Sequence, residues 1–213
     1  MTGLVYKDLI VLKKQLRYYL VFLVIYGGMT VAGMGPGILG AVICIVGMIL
    51  PMSSIAYDEQ ARWDKYAAAT PAGRAGIVGG KYLFTLVVVG SMTGLVVLCM
   101  VLLRLTGLVK NDMAELVFTA LGCGGAALFI NAITLPLMLK FGAEKSRTIS
   151  MGLFVVIFGA SALGAMALKN QAALPAPPVW LLNALPVVLA ILAVGSFAVS
   201  YCVSRAVYAN KEL

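Results

Sequence analysis

Histidine is absent from this chain of 213 residues, and charged side chains make up only 11% of it. A soluble domain of this length carries about 25% charged residues, so the charge is too sparse to cover a water-facing globule. No Asp, Glu, Lys or Arg lies in the middle of the long apolar runs. This argues against an intramembrane enzyme, because neither a histidine nor a pair of acids is available there. It also argues against an ion-coupled carrier, which usually needs ionisable groups within the membrane.

A phosphate-binding loop of the form G-x-x-x-x-G-K-[ST] is also missing. The run 76–82 is similar to it but has one residue too few between the glycines, and Tyr82 replaces the hydroxyl that would bind magnesium. The chain therefore has no route to ATP by this motif, and an ATP-driven function would require a partner that binds ATP and Mg²⁺. We predict no catalytic residue and no cofactor bound by this chain.

Two further classes of site are not expected. The cysteines all fall inside apolar runs without metal-ligand spacing, so they are interpreted as packing residues rather than as disulfide or metal ligands. No basic stretch is interleaved with aromatic residues on a soluble domain, so nucleic-acid binding is not predicted. The four cysteines are Cys44, Cys99, Cys123 and Cys202.

Long apolar runs dominate what is present, since 62% of the residues are apolar. Runs of about 18 or more residues cross roughly 30 Å of hydrocarbon as helices, and these runs lack the alternation of membrane β-strands. The sequence predicts a single all-α integral membrane domain, 1–213, with six transmembrane helices. The predicted elements are an interfacial helix at 1–17, spans at about 18–34, 38–57, 82–103, 116–139, 149–168 and 179–203, and a coupling-helix loop at 58–76.

The basic residues predict the orientation of this bundle. With the N-terminus inside, thirteen of the sixteen basic residues are cytoplasmic, as the positive-inside rule requires. Both ends of the chain are therefore predicted to be cytoplasmic, and the net charge of +8 is mostly a consequence of topology. The three basic residues predicted outside are Arg104, Lys110 and Lys169.

The segment before the first span is amphipathic. Its apolar residues recur at steps of four, three and four, which places them on one helical face with lysines opposite. Such a helix is expected to lie in the membrane interface, either as an anchor near anionic lipid or as an elbow that braces a moving first span. The apolar residues are Val5, Leu9, Leu12 and Leu16, and the lysines are Lys7 and Lys14.

The loop between spans two and three holds three of the eight acidic residues. Asp58 and Glu59 suit the N-terminus of a short helix, where the macrodipole favours negative charge, and Pro71 disfavours helix at the preceding residue. Trp63 and Tyr66 lie on the same side of that helix as Glu59, and such rings are frequent at interface hot spots. The alternative places the two rings in the lipid headgroup belt.

Polar residues deep inside the predicted spans are few, whereas small residues are common. Asn131 is the most notable polar residue deep in a span, and it either bonds between helices or faces a substrate path. Gly122 and Ala126 form a small-x-x-x-small pair, which allows close helix contact.

Two sequence motifs resemble those of ABC type-2 exporter permeases, and the similarity extends to the short permeases of phenol-soluble modulin exporters. The first is S-x-x-x-Y-D-E-x-x-x-W-x-K-Y, ending at Tyr66 and followed by Pro71, Arg74 and Gly80-Lys81-Tyr82. The second is P-L-x-x-K-F-G-x-E-K-x-R, over 136–147.

The resemblance implies a bacterial cytoplasmic-membrane half-transporter that pairs with a second permease copy and docks a cytosolic ABC ATPase. It implies export of amphipathic peptides, toxins or antimicrobials, and it makes the loop after span two a coupling helix on the ATPase. An ATP-independent carrier or channel, or a non-transporting membrane scaffold, remains the alternative. The implied coupling residues are Asp58, Glu59, Trp63, Lys65, Tyr66, Pro71 and Arg74, with Lys140, Phe141, Gly142, Glu144, Lys145 and Arg147 in a second loop.

Overall fold

The computed structural model describes residues 2–63, 66, 73–109, 111–152, 155, 159 and 179–209. Within these residues the chain is helical between short turns, with no strand, which confirms the all-α prediction. A π-helical segment, Thr30–Met34, joins the first two helices. The helices are α1 (Thr2–Met29), α2 (Pro36–Gln60), α3 (Gly73–Leu105), α4 (Met113–Phe141), α5 (143–152) and α6 (Val179–Ala209).

Five segments of the described chain are long and apolar enough to cross a membrane. The predicted spans at 38–57, 82–103, 116–139 and 179–203 fall inside observed helices that continue beyond the apolar run. The predicted span at 149–168 lies largely outside the described residues. The five segments are Arg17–Met34, Pro36–Gln60, Gly73–Leu105, Met113–Phe141 and Ile191–Ala209.

The predicted boundary between an interfacial helix at 1–17 and a first span at 18–34 is not marked by a break in the helix, and the membrane-crossing segment begins at Arg17. α1 is continuous from Thr2 to Met29, because no proline or turn sequence interrupts it. The break comes later, where Gly33 and Gly35 adopt φ values of 94° and 93°. Only glycine takes these angles readily, and they turn the chain into α2.

The apolar face at the start of α1 packs against protein. Val5 and Leu12 are buried in a cluster with residues of α2 and α3, including Leu50 and Phe84. A Cβ on Gly80 of α3 would lie 3.2 Å from the Cβ of Leu4, so α1 approaches α3 closely there. The first half of α1 is thus attached to the bundle through side-chain packing.

The connections bring several helix termini to one end of the bundle, called here the N-terminal end. α1 begins, α2 ends, α3 begins and α4 ends there, as shown by contacts from Lys7 to Asp58 and from Glu59 to Ala143. α6 runs parallel to α4, since a Cβ on Gly125 would lie 3.8 Å from the Cβ of Ala193, and seven residues further along both helices the Ser200 hydroxyl donates to the Ala132 carbonyl at 2.6 Å. α6 therefore also ends at the N-terminal end.

Candidate functional site

Four charged side chains from three helices meet at the N-terminal end. Lys7 Nζ lies 2.5 Å from Asp58 Oδ1 and 3.1 Å from Asp8 Oδ1. Lys81 Nζ lies 2.5 Å from Asp58 Oδ2 and 3.0 Å from Asp8 Oδ2. Each lysine thus contacts both aspartates, and each aspartate contacts both lysines. We call this arrangement of Lys7, Asp8, Asp58 and Lys81 the charge cluster.

The charge cluster is largely shielded from solvent. Asp8, Lys81 and Asp58 are 3%, 6% and 9% exposed, and the Lys81 ammonium also donates to the Ser54 hydroxyl at 2.6 Å. A buried charge is tolerated when it is paired and hydrogen-bonded, and here two positive and two negative groups balance. The cluster therefore holds the start of α1, the end of α2 and the start of α3 in one arrangement.

Asp58 and Glu59 do not begin a helix, which corrects that part of the prediction. Both lie in the last turn of α2, which ends at Gln60. A carboxylate near a helix C-terminus interacts unfavourably with the helix macrodipole. Favourable contacts with other groups offset this repulsion here. Asp58 is held by the lysines of the charge cluster, and Glu59 Oε2 accepts a hydrogen bond from the backbone N–H of Ala143 at 2.6 Å.

Trp63 lies directly beside the charge cluster. The Lys7 ammonium stands 4.8 Å from its ring centroid, which is within cation–π range. The ring is half-buried against an apolar cluster that includes Ile77, while Tyr66 is 69% exposed. Arg62, with a φ of 49°, redirects the chain between α2 and Trp63.

The other predicted coupling residues divide into two groups. Arg74, at the start of α3, donates a hydrogen bond to the Ala209 carbonyl at the end of α6. Lys65 and Pro71 lie outside the described residues, as does the predicted end of the coupling helix near Ala69. The separate coupling helix is consequently not described over its whole length.

The second predicted loop is a tight turn between α4 and α5. Gly142 ends α4 with a φ of 83°, and its N–H donates to the Met138 carbonyl at 3.0 Å. Because Glu59 accepts from the next residue, the end of α2 contacts this turn directly. Lys140 lies over the Phe141 ring at 5.0 Å. The side chains of Glu144, Lys145 and Arg147 are exposed.

We expect Gly142→Ala to weaken the contact between α2 and the α4–α5 turn. A Cβ at this position would lie 2.5 Å from Glu59 Oε1, and the positive φ adds strain of about 1–3 kcal/mol for a residue with a side chain. Thermal unfolding in detergent measures the effect. The control is Gly107→Ala, where φ is 74° but no atom in the described part of the chain lies within 4 Å of the Cβ position. An equal loss of melting temperature in both variants would show that the Glu59 contact contributes nothing.

Polar contacts also link α6 to the rest of the site. The Tyr82 hydroxyl lies 2.6 Å from the Ser200 hydroxyl and 2.7 Å from that of Ser204. Tyr82 follows Lys81 of the charge cluster on α3. Two neighbouring residues of α3 therefore connect the site from α1 to α6: Lys81 contacts α1, and Tyr82 contacts α6.

Asn131 bonds between helices. It is fully buried, and its Nδ2 donates to the Gly47 carbonyl of α2 and the Ala127 carbonyl of its own helix, each at 2.8 Å. These contacts match the first of its two sequence interpretations. They tie α2 to α4 in the interior of the bundle.

Sequence reasoning missed three members of the site. Asp8 stands among basic residues of an amphipathic segment, and Lys81 belongs to the first motif but is not among its implied coupling residues. Ser54 carries no signal of its own. Nothing local marks these residues as partners, since Lys81 and Asp8 are 73 positions apart. An acid on the apolar side of a helix, as Asp8 is beside Val5 and Leu12, is the one available signal.

The family model described as "ABC-2 family transporter protein" matches residues 3–209, nearly the whole chain. No curated protein and no solved structure gives a match.

Proposed function

We propose that this chain couples ATP hydrolysis by a separate cytosolic subunit to export. The chain belongs to the ABC-2 family of transporter proteins, and it is the membrane permease subunit of an ABC transporter. The family implies the partner ATPase and a multi-pass position in the cell membrane. The finer proposal concerns how the motor is attached and what is moved. The observation that carries it is the charge cluster, which connects the Trp63 segment to three helices.

The coupling segment is the surface that we assign to the ATPase. Tyr66 is 69% exposed, and Trp63 is half-buried beside Lys7. An exposed aromatic next to an anchored one is suited to a protein interface, where Trp and Tyr are enriched among the residues that matter most. Force applied to this segment would reach α1 and α3 through Asp58, because that carboxylate contacts a lysine on each.

The motion itself follows from this attachment. ATP and Mg²⁺, bound by the partner, bring two ATPase subunits together, and two permease copies move with them. The Glu59–Ala143 hydrogen bond extends the connection to α5. The helices that respond first are therefore α1, α2, α3 and the start of α5.

We further propose six spans with both ends in the cytoplasm. Five candidate spans lie in the described chain, and the run at 149–168 supplies the sixth. α5 begins at the N-terminal end, whereas α6 must begin toward the opposite end, because it runs parallel to α4 and finishes at the N-terminal end. The orientation follows from the positive-inside asymmetry.

The substrate class is taken from the resemblance to phenol-soluble modulin exporters. We propose that two copies, identical or paralogous, form the pathway and that it carries amphipathic peptides, toxins or antimicrobials. The long apolar helices carry no ionisable relay in their centres, which favours coupling through the cytoplasmic ends over coupling to an ion gradient.

Trp63→Ala is expected to weaken ATPase docking. Loss of an aromatic hot spot costs about 2 kcal/mol or more, which corresponds to roughly thirtyfold weaker binding. The cognate ATPase is first identified by co-purification with the tagged chain. Its affinity for the permease in nanodiscs is then measured, together with the stimulation of its ATPase activity. Glu59→Ala is tested in parallel.

Phe118→Ala is the matched control, because Phe118 is an exposed aromatic residue near the start of α4, at the opposite end. Unchanged ATPase affinity in the Trp63 and Glu59 variants would contradict the docking role. Transport in liposomes without any ATPase would instead support a carrier or channel. Binding of the ATPase with no transport of any substrate would support a scaffold.

A further inference from the structure

A groove of about 700 Å³ lies between α2 and the beginning of α5. This volume is within the range of small-molecule sites in proteins. Four methionines form most of its apolar lining, two on α2 and one each on α4 and α5. Methionine side chains are flexible and polarisable, so they adapt to apolar ligands of different shapes. The four are Met48, Met52, Met138 and Met151.

The groove changes character along its length. On α2 its lining residues share one helical face from Met48 to Gln60, a distance of about 18 Å at 1.5 Å per residue. Met48 and Met52 occupy the deeper part, and Glu59 and Gln60 lie at the N-terminal end. On α5 the order is the same, since Glu144 precedes Met151. A ligand that fits this gradient has an apolar chain and a polar head.

Ser150 provides an independent indication of a ligand. Its side chain lines the groove and is only 5% exposed, yet its hydroxyl has no hydrogen-bond partner among the residues that the structure describes. A buried polar group without a partner is costly. A ligand N–H or O–H reaching into the groove would satisfy it.

The charges at the rim select the sign of the head group. Glu59, Glu144 and Arg147 are exposed there, and none of the three takes part in an ion pair within the described residues. Two negative charges against one positive charge leave the rim negative. A positive head group is therefore favoured over a negative one.

We propose that this groove binds a cationic amphiphile, with the apolar chain among the methionines, an N–H on Ser150 and the positive group at Glu59 and Glu144. The assignment of the groove as the place where substrate is loaded rests on the proposed export function. It adds the charge of the substrate and the place where the substrate binds. On the proposed orientation it lies at the cytoplasmic end, where a substrate bound for export would enter.

The test uses the permease alone in nanodiscs of zwitterionic lipid, with a dodecanoyl amide of a short diamine, which carries an amide N–H, a terminal ammonium and a photoreactive diazirine near the end of its chain. We expect crosslinks on the groove residues of α2 and α5 after peptide mapping. The same amide without the diazirine should compete in excess, and the dodecanoyl amide of an amino acid, with the same chain and amide but a negative carboxylate, should compete far less. Glu144→Gln and Ser150→Val should each lower labelling about threefold to tenfold.

Glu115→Gln is the control, since Glu115 is an exposed acid in the first turn of α4, at the opposite end. Glu144 is itself exposed, so its variant tests the rim without disturbing the core. Equal competition by amine and carboxylate, or crosslinks spread over all helices through partition into lipid, would overturn the proposal. ATPase docking is measured separately: labelled permease that binds no ATPase would refute the proposed function and leave the groove standing.

Discussion

Lys81→Met is expected to destabilise the chain by about 3–5 kcal/mol, the cost of breaking a buried ion pair by removing one partner. Methionine retains the length of the side chain but not the charge. The change would leave Asp8 and Asp58 buried with Lys7 as their only charged partner in the charge cluster. Two carboxylates would then share one ammonium, and Ser54 would lose its donor.

The double variant Asp8→Asn, Lys81→Met distinguishes charge imbalance from loss of packing. It removes one negative and one positive charge together and keeps the 2.5 Å pair between Lys7 and Asp58. We expect it to be more stable than Lys81→Met alone, because each remaining charge is again balanced. Lys13→Met, at an exposed site on α1, controls for loss of a lysine.

Unfolding of the purified permease by heat, or by SDS in mixed micelles, provides the measurement. If Lys81→Met and Lys13→Met unfold together, the charge cluster does not hold α1, α2 and α3 in place. The proposed transmission from the Trp63 segment to α1 and α3 would then lack its physical link. A destabilised Lys81→Met that the double variant restores would establish that link.

The apolar parts of the fold could be predicted from sequence because hydropathy reports membrane burial directly. The runs at 38–57 and 116–139 lie inside α2 and α4. The ends of the helices could not be predicted in the same way. Helix α2 continues to Gln60 because the polar residues after the apolar run also favour helix and find partners in neighbouring helices. For the same reason the helix at the start of the chain continues into the first membrane-crossing segment without a break.

The candidate site was predictable only in part. The motif located Trp63 and Glu59, and the structure puts each beside other site residues. The partners themselves depend on which helices are neighbours, and the apolar spans carry almost no information on that. Lys7 and Asp58 are 51 positions apart, so only the folded bundle joins them. The groove at α5 depends on the same arrangement.

Close helix contacts illustrate the same limit. Gly122 belongs to the predicted small-x-x-x-small pair, yet no atom of the described residues lies within 4 Å of where its Cβ would be. The close approach of α2 to α4 is at Gly40 instead, where a Cβ would lie 2.6 Å from Cys123 Sγ. The spacing of small residues identifies faces that allow contact, and the choice among them is made by the whole bundle.

Gly40→Leu is accordingly expected to destabilise the bundle by about 1–3 kcal/mol or more, the usual cost of overpacking. A leucine has no room there, since Gly40 is buried and Thr119 Cγ2 also lies 3.8 Å from the Cβ position. α2 and α4 would have to separate, which would also disturb the 2.8 Å bond from Asn131 to Gly47. Thermal unfolding in detergent measures the loss, and Gly122→Leu is the control.

The smaller change Gly40→Ala makes the cause specific. Alone it forces Cys123 Sγ to move, but with Cys123→Ala the nearest side-chain atom is the Cβ at 3.5 Å, an ordinary contact. We expect the double variant to recover most of the melting temperature that Gly40→Ala loses. Failure to recover would mean that glycine is needed at this position for a reason other than the sulfur. Recovery would show that α2 and α4 pack most closely at Gly40 and Cys123. A displacement of α2 by the coupling segment would then be transmitted to α4 through this contact.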